Sequence, residues 1–354
     1  MDLTLSSEQE SIREAVRGVL GARLSARRAQ GGVAAERGLD LALWREAAAL
    51  GWLGLGLPEA AGGAGYGLPE EMILFVELGR SLAPGPWLGT VLATHAFVGV
   101  PALRDELADV VAGARCVAVV DDPVDAVGEG SRLTGAAQGI ADGGAADVFL
   151  VLGRQRVRCI PAGASGVHVA TRESLDPTRR LADVTFEDAP AELLPADAVP
   201  LRRAAMVLVA AEALGIAERT LEGSVAYAKT RHQFGRPIGA FQAVKHRCAD
   251  MAVRAEVARS IVTFAAVALR DAEPEAPRHA HEAKILATSA ALANAHDNIQ
   301  NHGGMGFTWE ADAHLYLKRA WLLEHALGTR ATHLDALAAP WRAESRIASP
   351  ANPL

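Results

Sequence analysis

Two stretches of this chain carry residue types able to grip an anion. In Tyr227-Ala-Lys-Thr-Arg231-His-Gln-Phe234-Gly235-Arg236-Pro237-Ile-Gly239-Ala-Phe241-Gln242, an arginine stands where a long helical pattern runs into a Gly/Pro loop. A guanidinium forks two hydrogen bonds onto a phosphate, glycines let backbone approach a ligand, and Phe234 can pack on a flat ring. The plainer alternative makes Arg231 a helix-end cation and Phe234 a core plug. In Gln300-Asn-His302-Gly303-Gly304-Met-Gly306-Phe307-Thr308-Trp309-Glu310-Ala-Asp312, three glycines bare backbone N–H groups ahead of a helix whose expected cap is Thr308. An anion or the polar edge of a nucleotide can dock on such a segment, which also suits an ordinary helix–helix turn.

General-base chemistry needs a carboxylate in a setting that raises its pKa. Glu212 is a weak candidate, lying beside an apolar helical stripe in a row with Leu208 and Ile216; its alternative is a carboxylate with a cationic partner. Glu310 and Asp312 fall in the expected first turn after Thr308, where the helix dipole favours acids whatever the function. Glu324, in Leu322-Leu323-Glu324-His325, reads as half of a helix-face pair, and His302 as a loop histidine.

The elements that must position these groups follow a helical, strand-rich, helical order, with expected boundaries at 1–113, 114–197 and 198–354. Ser6-Ser7-Glu8-Gln9-Glu10 offers a capping serine with an acid or amide three residues on, Ile12, Val16, Val19 and Leu20 follow at helical spacing, and a helix is expected to start near Ser7. Further helices are expected over Leu41–Leu50, stopped by Gly51, and from about Pro69 to Leu82, with Pro58 and Gly62-Gly63-Ala64-Gly65 forming a loop between them. From Cys116 to Asp197, short β-branched runs (Val117–Val120, Val148–Leu152, Val157–Ile160, Val167–Val169 and Val184–Phe186) alternate with Gly, Asp and Pro clusters. That texture predicts a small antiparallel β domain. After Pro200, Val207, Ala211, Leu214, Ala217, Leu221 and Val225 mark one long helix. The tail Ala348 to Leu354 is expected to fray.

Composition narrows the function classes. The 354 residues carry a net charge of −7 and half are apolar, so a sizeable core is possible and nucleic-acid binding is disfavoured. The longest apolar run, Met206 to Leu214, falls well short of the roughly 20 residues that span a bilayer. The N-terminus lacks a basic and then apolar signal pattern, which makes the cytoplasm the expected location. Three separated cysteines, Cys116, Cys159 and Cys248, match neither a disulfide framework nor a metal site.

The two anion-gripping clusters, in this order and at this separation, resemble the R-x-x-F-G and Q-x-x-G-G-x-G-[FY] loops of the acyl-CoA dehydrogenase family. So do Leu43-Trp44 through Pro58-Glu59, Gly62-Gly63, Glu77-Leu-Gly79-Arg80, and Leu175-Asp176-Pro177-Thr178-Arg179-Arg180 through Phe186. The resemblance implies an α+β fold with an N-terminal helical domain, a middle antiparallel β domain and a C-terminal four-helix bundle. It also implies FAD held between the β domain of one subunit and the C-terminal helices of its neighbour. Arg231, Phe234, Gln242, Gln300, Gly303 and Gly304 correspond to residues that reach across to the pyrophosphate and adenosine. Thr329, in Leu327-Gly328-Thr329, matches the threonine of an E-G-T element near the flavin.

The departures are concentrated on the other side of the cofactor. The family glutamate that removes the α-proton is replaced by Leu327, and the alternative position on the preceding helix holds Ala204, Ala205 and Met206. A T-E-P-x-x-G-S-D segment is reduced to Asp122-Pro123 within VVDDPVDAVG. The W-[IST]-T segment beside the isoalloxazine is replaced by Gln138-Gly139-Ile140-Ala141. The implied activity is α,β-desaturation of an acyl-CoA thioester in fatty acid or steroid catabolism. The chain would act as a homo- or hetero-oligomer, dimer or tetramer, with a homologue, and electron-transfer flavoprotein would be the acceptor. A self-sufficient homo-oligomer, a non-redox scaffold and a specialised flavin enzyme on the same fold are the alternatives.

Overall fold

The computed structural model describes residues 3–29, 39–121 and 131–347. Helix α1 (Ser7–Ala29) begins at the expected capping box: Gln9 N donates to Ser6 Oγ at 3.2 Å and Ser6 N donates to Gln9 Oε1 at 3.0 Å. Helix α2 (Leu41–Ala49) opens on Asp40, whose carboxylate accepts from Ala42 N and Leu43 N. It ends just before Gly51, which takes a left-handed φ of 78°. Short 3-10 turns then lead to α3 (Leu68–Ser81), α4 (Trp87–Phe97) and α5 (Arg104–Val111).

Seven strands follow: β1 (Val117–Asp121), β2 (Arg132–Ala141), β3 (Val148–Leu152), β4 (Arg156–Pro161), β5 (Val167–Arg172), β6 (Leu181–Pro190) and β7 (Glu192–Asp197). They form two sheets, ordered β1-β3-β4-β7 and β2-β6-β5. The expectation of purely antiparallel pairing needs correction, because β1 and β3 run parallel. All five β3 residues are buried, so it is an inner strand flanked on both edges. The chain leaves for the second sheet through β2 before returning, and that excursion supplies the long crossover a parallel pair requires. The Asp122-Pro123 remnant and the tail from Ala348 lie outside the described residues.

The C-terminal region contains α6 (Ala198–Thr230), a short hairpin of β8 (His232–Gln233) and β9 (Arg236–Pro237), α7 (Gln242–Arg270), α8 (Ala276–His302), α9 (Ala313–His325) and α10 (Arg330–Ile347). Helix α6 is buried on every side from Ala205 to Ala217, which makes it the axis of the molecule rather than an amphipathic surface helix. It meets α3 backbone to backbone: a Cβ on Gly79 would lie 1.9 Å from Glu212 O, and one on Gly215 would lie 2.0 Å from Val76 O. Only glycine permits that approach at either position.

Thr308 does not cap a helix. Residues Gly303–Phe307 form a 3-10 turn, Thr308 Oγ1 donates to Met305 O at 3.0 Å, and α9 starts only at Ala313. Glu310 and Asp312 consequently precede the helix instead of occupying its first turn.

Candidate cofactor site

The C-terminus of α6, the N-terminus of α7 and the C-terminus of α8 converge at one end of the bundle, and this brings the two anion-gripping loops together. Tyr227 stacks on His302 with centroids 4.2 Å apart, Ser224 Oγ donates to Asn298 Oδ1 at 2.9 Å, and Arg247 Nη1 donates to Asn301 Oδ1 at 2.8 Å. Along this end Arg231, Gln242, Gln300, Gly303 and Gly304 are all exposed. Phe234 is 90% exposed at a left-handed φ of 52°, which removes the core-plug alternative. Arg231 makes no ion pair among the described residues, so its guanidinium is available to a ligand. A Cβ on Gly235, Gly303 or Gly304 would meet nothing within 4 Å, which leaves the backbone open to an incoming group. A free guanidinium, an exposed amide and open glycine backbone suit a pyrophosphate and its nucleoside.

Thr329 stands at the opposite end. Its Oγ1 accepts from Thr332 N at 3.4 Å, capping α10, while Leu327 and Gly328 adopt φ values of 58° and 104°. His333, one turn on, contacts His281 near the start of α8, with the Nδ1 atoms 2.8 Å apart. About twenty residues of α8 separate that contact from Gln300, a distance of about 30 Å at helical rise. One chain's Thr329 and its own Arg231 therefore stand at opposite ends of the bundle, and the candidate residues fall into two groups, each a candidate half-site.

The half-site around Thr329 is apolar where a base is expected. Leu327 and Ala204 pack against the same hydrophobic cluster, and Ala205 and Met206 are buried. Gln138-Gly139-Ile140-Ala141 ends β2 beside an irregularity in its pairing, with Gly139 N donating to Asp183 Oδ1 at 3.0 Å. The nearby ionisable groups include His333, His281 and Lys284, with Glu324 beside them. His333 is 2% exposed, and its pKa is pushed down to about 4 by burial, helped by Lys284 and His281. Burial likewise lowers Lys284 to about 8, against the pull of Glu324, whose carbonyl accepts from its Nζ at 3.2 Å.

Glu212 is not a free base. Its Oε1 accepts from Arg179 Nη2 at 2.9 Å and from Arg319 Nη1 at 2.7 Å, so the cationic-partner alternative holds. Arg319, fully buried, also donates to Asp176 Oδ2 at 2.5 Å and to Thr178 O and Oγ1 at 2.9 and 2.8 Å. Asp142 completes the group, 3.7 Å from Arg179 Nε; burial raises its pKa against the attraction of the two arginines. This network, which sequence reasoning missed, fastens the β5–β6 connection onto α6 and α9. Glu324 forms the expected local pair, 3.0 Å from His325 Nδ1.

Comparisons with known proteins agree with the geometry. Residues 6–107 match the family profile described as "Acyl-CoA dehydrogenase, N-terminal domain" and residues 204–340 match "Acyl-CoA dehydrogenase, C-terminal domain". The chain is 36% identical over 321 residues to acyl-CoA dehydrogenase IpdE2 of Mycobacterium tuberculosis, covering 90% of this chain and 92% of that protein. It is 37% identical over 341 residues to acyl-CoA dehydrogenase FadE34 of the same organism, covering 93% of this chain and 46% of the other. Among solved structures, the ChsE4-ChsE5 complex from Mycobacterium tuberculosis superposes with a TM-score of 0.86 at 29% identity, covering 99% of this chain and 100% of the matched one. A steroid ACAD variant, Tcur3481-Tcur3483 G363A, gives 0.86 at 30% identity, covering 98% and 100%. No described helix is long and apolar enough to cross a membrane.

Proposed function

The chain belongs to the acyl-CoA dehydrogenase family, and on that premise we propose that it is the base-lacking subunit of a hetero-oligomeric, FAD-dependent acyl-CoA dehydrogenase. The observation that carries this reading is the contrast between the two ends of the bundle. The end bearing Arg231, Phe234, Gln242, Gln300, Gly303 and Gly304 is open and complete in residue type, whereas the end bearing Thr329 presents Leu327 and Ala204 where a carboxylate is needed.

Members of the family bind FAD, which when bound accepts the hydride leaving the β-carbon of an acyl-CoA thioester. In this reading Arg231 neutralises the pyrophosphate of the flavin seated in the neighbouring subunit, and Gln300 with Gly303 and Gly304 orients its nucleoside. Phe234 and Gln242 would flank it. The α-proton passes to a carboxylate of the partner, since this chain offers none at either expected position. The structural relatives include a steroid ACAD and a two-component complex, which favours a bulky thioester such as a steroid side chain and a homologous partner. FadE34 supports the pairing independently: more than half of its length lies outside the match, room for a second unit of similar size. Electron-transfer flavoprotein as acceptor and a cytoplasmic location complete the proposal.

The test is the visible absorption spectrum of the chain alone and after co-expression with a homologous acyl-CoA dehydrogenase chain. A colourless lone chain and a yellow pair, bleached by acyl-CoA, are expected. Stoichiometric flavin in the lone chain, bleached by acyl-CoA, would replace this reading with a self-sufficient dehydrogenase.

A further inference from the structure

A cavity of about 370 Å³ opens where the start of α3, the start of α6 and the turn between α7 and α8 meet. Of its lining residues only Ala204 belongs to the sites described above. Leu68, Pro200, Ala204, Leu269 and Pro277 give it apolar walls. The α7–α8 turn supplies one side: Glu273 N donates to Ala268 O at 2.9 Å, and Ala272 is held at a left-handed φ of 52°. An alanine in that conformation is strained, and such strain persists only where the surrounding structure enforces it.

Arg203 is the uncommitted polar group of this space. It is half-buried and makes no ion pair among the described residues, whereas its neighbour Arg202 donates to Asp121 Oδ1 at 2.7 Å. Arg270 also lines the cavity but is tied to Asp271, through Nε at 2.7 Å and Nη2 at 3.0 Å. Glu273 is exposed on the turn. The charge of Arg203 is felt by His281, whose pKa is lowered by burial and further by this arginine. Behind His281 stand His333 and Lys284, and the acid beside them, Glu324, already pairs with His325.

Apolar walls, one free guanidinium and a basic interior select an amphipathic anion, its tail along the walls and its head forked on the arginine. At about 30 Å³ for each liquid water, the cavity equals about twelve waters, which suits a medium-chain acid and not a polycyclic one. We propose that this cavity binds a free medium-chain carboxylic acid, with its carboxylate on Arg203 and its tail against Leu68, Ala204 and Leu269. Such a site does not depend on where the flavin sits, so failure of the hetero-oligomer reading would leave it untouched.

Three consequences separate recognition of an acid from greasy adsorption. Decanol, which has the same tail and no charge, binds at least about tenfold more weakly than decanoate, and decylammonium does not bind. Arg203→Gln keeps a hydrogen-bond donor without the charge and weakens decanoate at least about tenfold. A carboxylate seated on Arg203 offsets the charge that acts on His281, so this imidazole titrates at higher pH in the complex, a shift that is absent in Arg203→Gln.

The experiment titrates the full-length chain, alone and co-expressed with a homologous chain, with decanoate below its micelle concentration, using isothermal calorimetry. Photolabelling with a diazirine derivative of decanoate and peptide mass spectrometry locate the site, nuclear magnetic resonance of the histidine rings follows His281, and circular dichroism confirms the fold of the variant. Saturable binding of decanoate, label within 200–204 or 269–277, and a loss of at least about tenfold in Arg203→Gln are expected. Absence of saturable binding, label elsewhere, equal binding of decanol, or full affinity in a folded Arg203→Gln overturns the assignment. Should Arg203→Gln prove unfolded, the comparison with decanol and the label on the unmodified chain decide the matter.

Discussion

Replacing Arg319 with Met should cost about 4 kcal/mol of folding stability, and the cost should grow with pH. Arg319 is fully buried and donates to Asp176, Glu212 and both oxygens of Thr178. Met fills most of the stem volume, so the loss is electrostatic rather than a cavity. Glu212 keeps Arg179 at 2.9 Å, and Asp176 keeps Thr178 N at 2.8 Å, so neither carboxylate is wholly abandoned. Breaking a buried ion pair from one side costs about 3–5 kcal/mol, and an orphaned Thr178 carbonyl adds about 1 kcal/mol, partly offset by proton uptake. That uptake fixes the sign of the pH dependence. With Arg319 gone, Asp142 keeps only Arg179 of the two arginines that attract it, so its folded pKa, already raised by burial, rises further above the unfolded one and stability falls as pH increases through it. The assay is urea unfolding followed by far-ultraviolet circular dichroism at pH 5.5 and pH 8, with hydrogen exchange over residues 174–180 as the local readout. Adding Glu212→Gln should recover part of the loss at pH 8, because it removes a surplus negative charge. A loss below about 1 kcal/mol, or one indifferent to pH, would refute the account of this network.

Glu212→Gln alone should lower stability by about 2 kcal/mol, since the hydrogen bonds from Arg179 and Arg319 lose the charge on their acceptor, while turnover of the assembled enzyme stays within about threefold; abolished turnover at unchanged stability would restore Glu212 as a base. Asp142→Asn should raise the urea midpoint at pH 7, with the gain shrinking toward pH 4, because the raised folded pKa of Asp142 means its contribution is lost as pH rises; an unchanged midpoint across that range contradicts its burial as an excess acid. His333, held at about 4 in the fold against about 6.5 unfolded, should contribute about 3 kcal/mol above pH 6.5 that disappears as pH falls toward 4; His333→Leu should flatten that slope, and an unaltered acid limb would count against it. Flavin content of the assembled pair should be one FAD per two chains, measured by absorbance after protein quantitation, and two would show that the Thr329 half-site still works.

Much of this arrangement was legible in local spacing. The Ser6–Gln9 box, the stop at Gly51 and the two loops at the end of the bundle depend on neighbours within a few residues, and each appears in the structure. Strand β2 did not announce itself because RLTGAAQGIA lacks β-branched runs; its conformation comes from pairing with β6 across the second sheet. The parallel β1–β3 pair was hidden for a related reason, since strand order follows from the path of the chain and not from the composition of either strand. Thr308 misled because a serine or threonine before an acid looks alike whether a helix or a further turn follows. Arg319 gave no signal at all: its partners Asp176 and Glu212 lie 143 and 107 residues away in sequence. The site residues at the open end were readable by type, while the distance between that end and Thr329 emerged only from the antiparallel run of α8.

The separation of about 30 Å between the two ends also governs how such a protein can change over generations. In the proposed assembly a substitution at Arg231 would be tested by the neighbour's cofactor and one at Leu327 by the chain's own half-site, so the two ends of a single gene product would answer to different molecules. Once a chain pairs with a non-identical relative, the end that serves no working cofactor is released from selection while the other stays constrained. Mixing experiments can exploit that independence: a chain altered at Arg231 and a chain altered at Thr329 should fail and succeed, respectively, with the same partner.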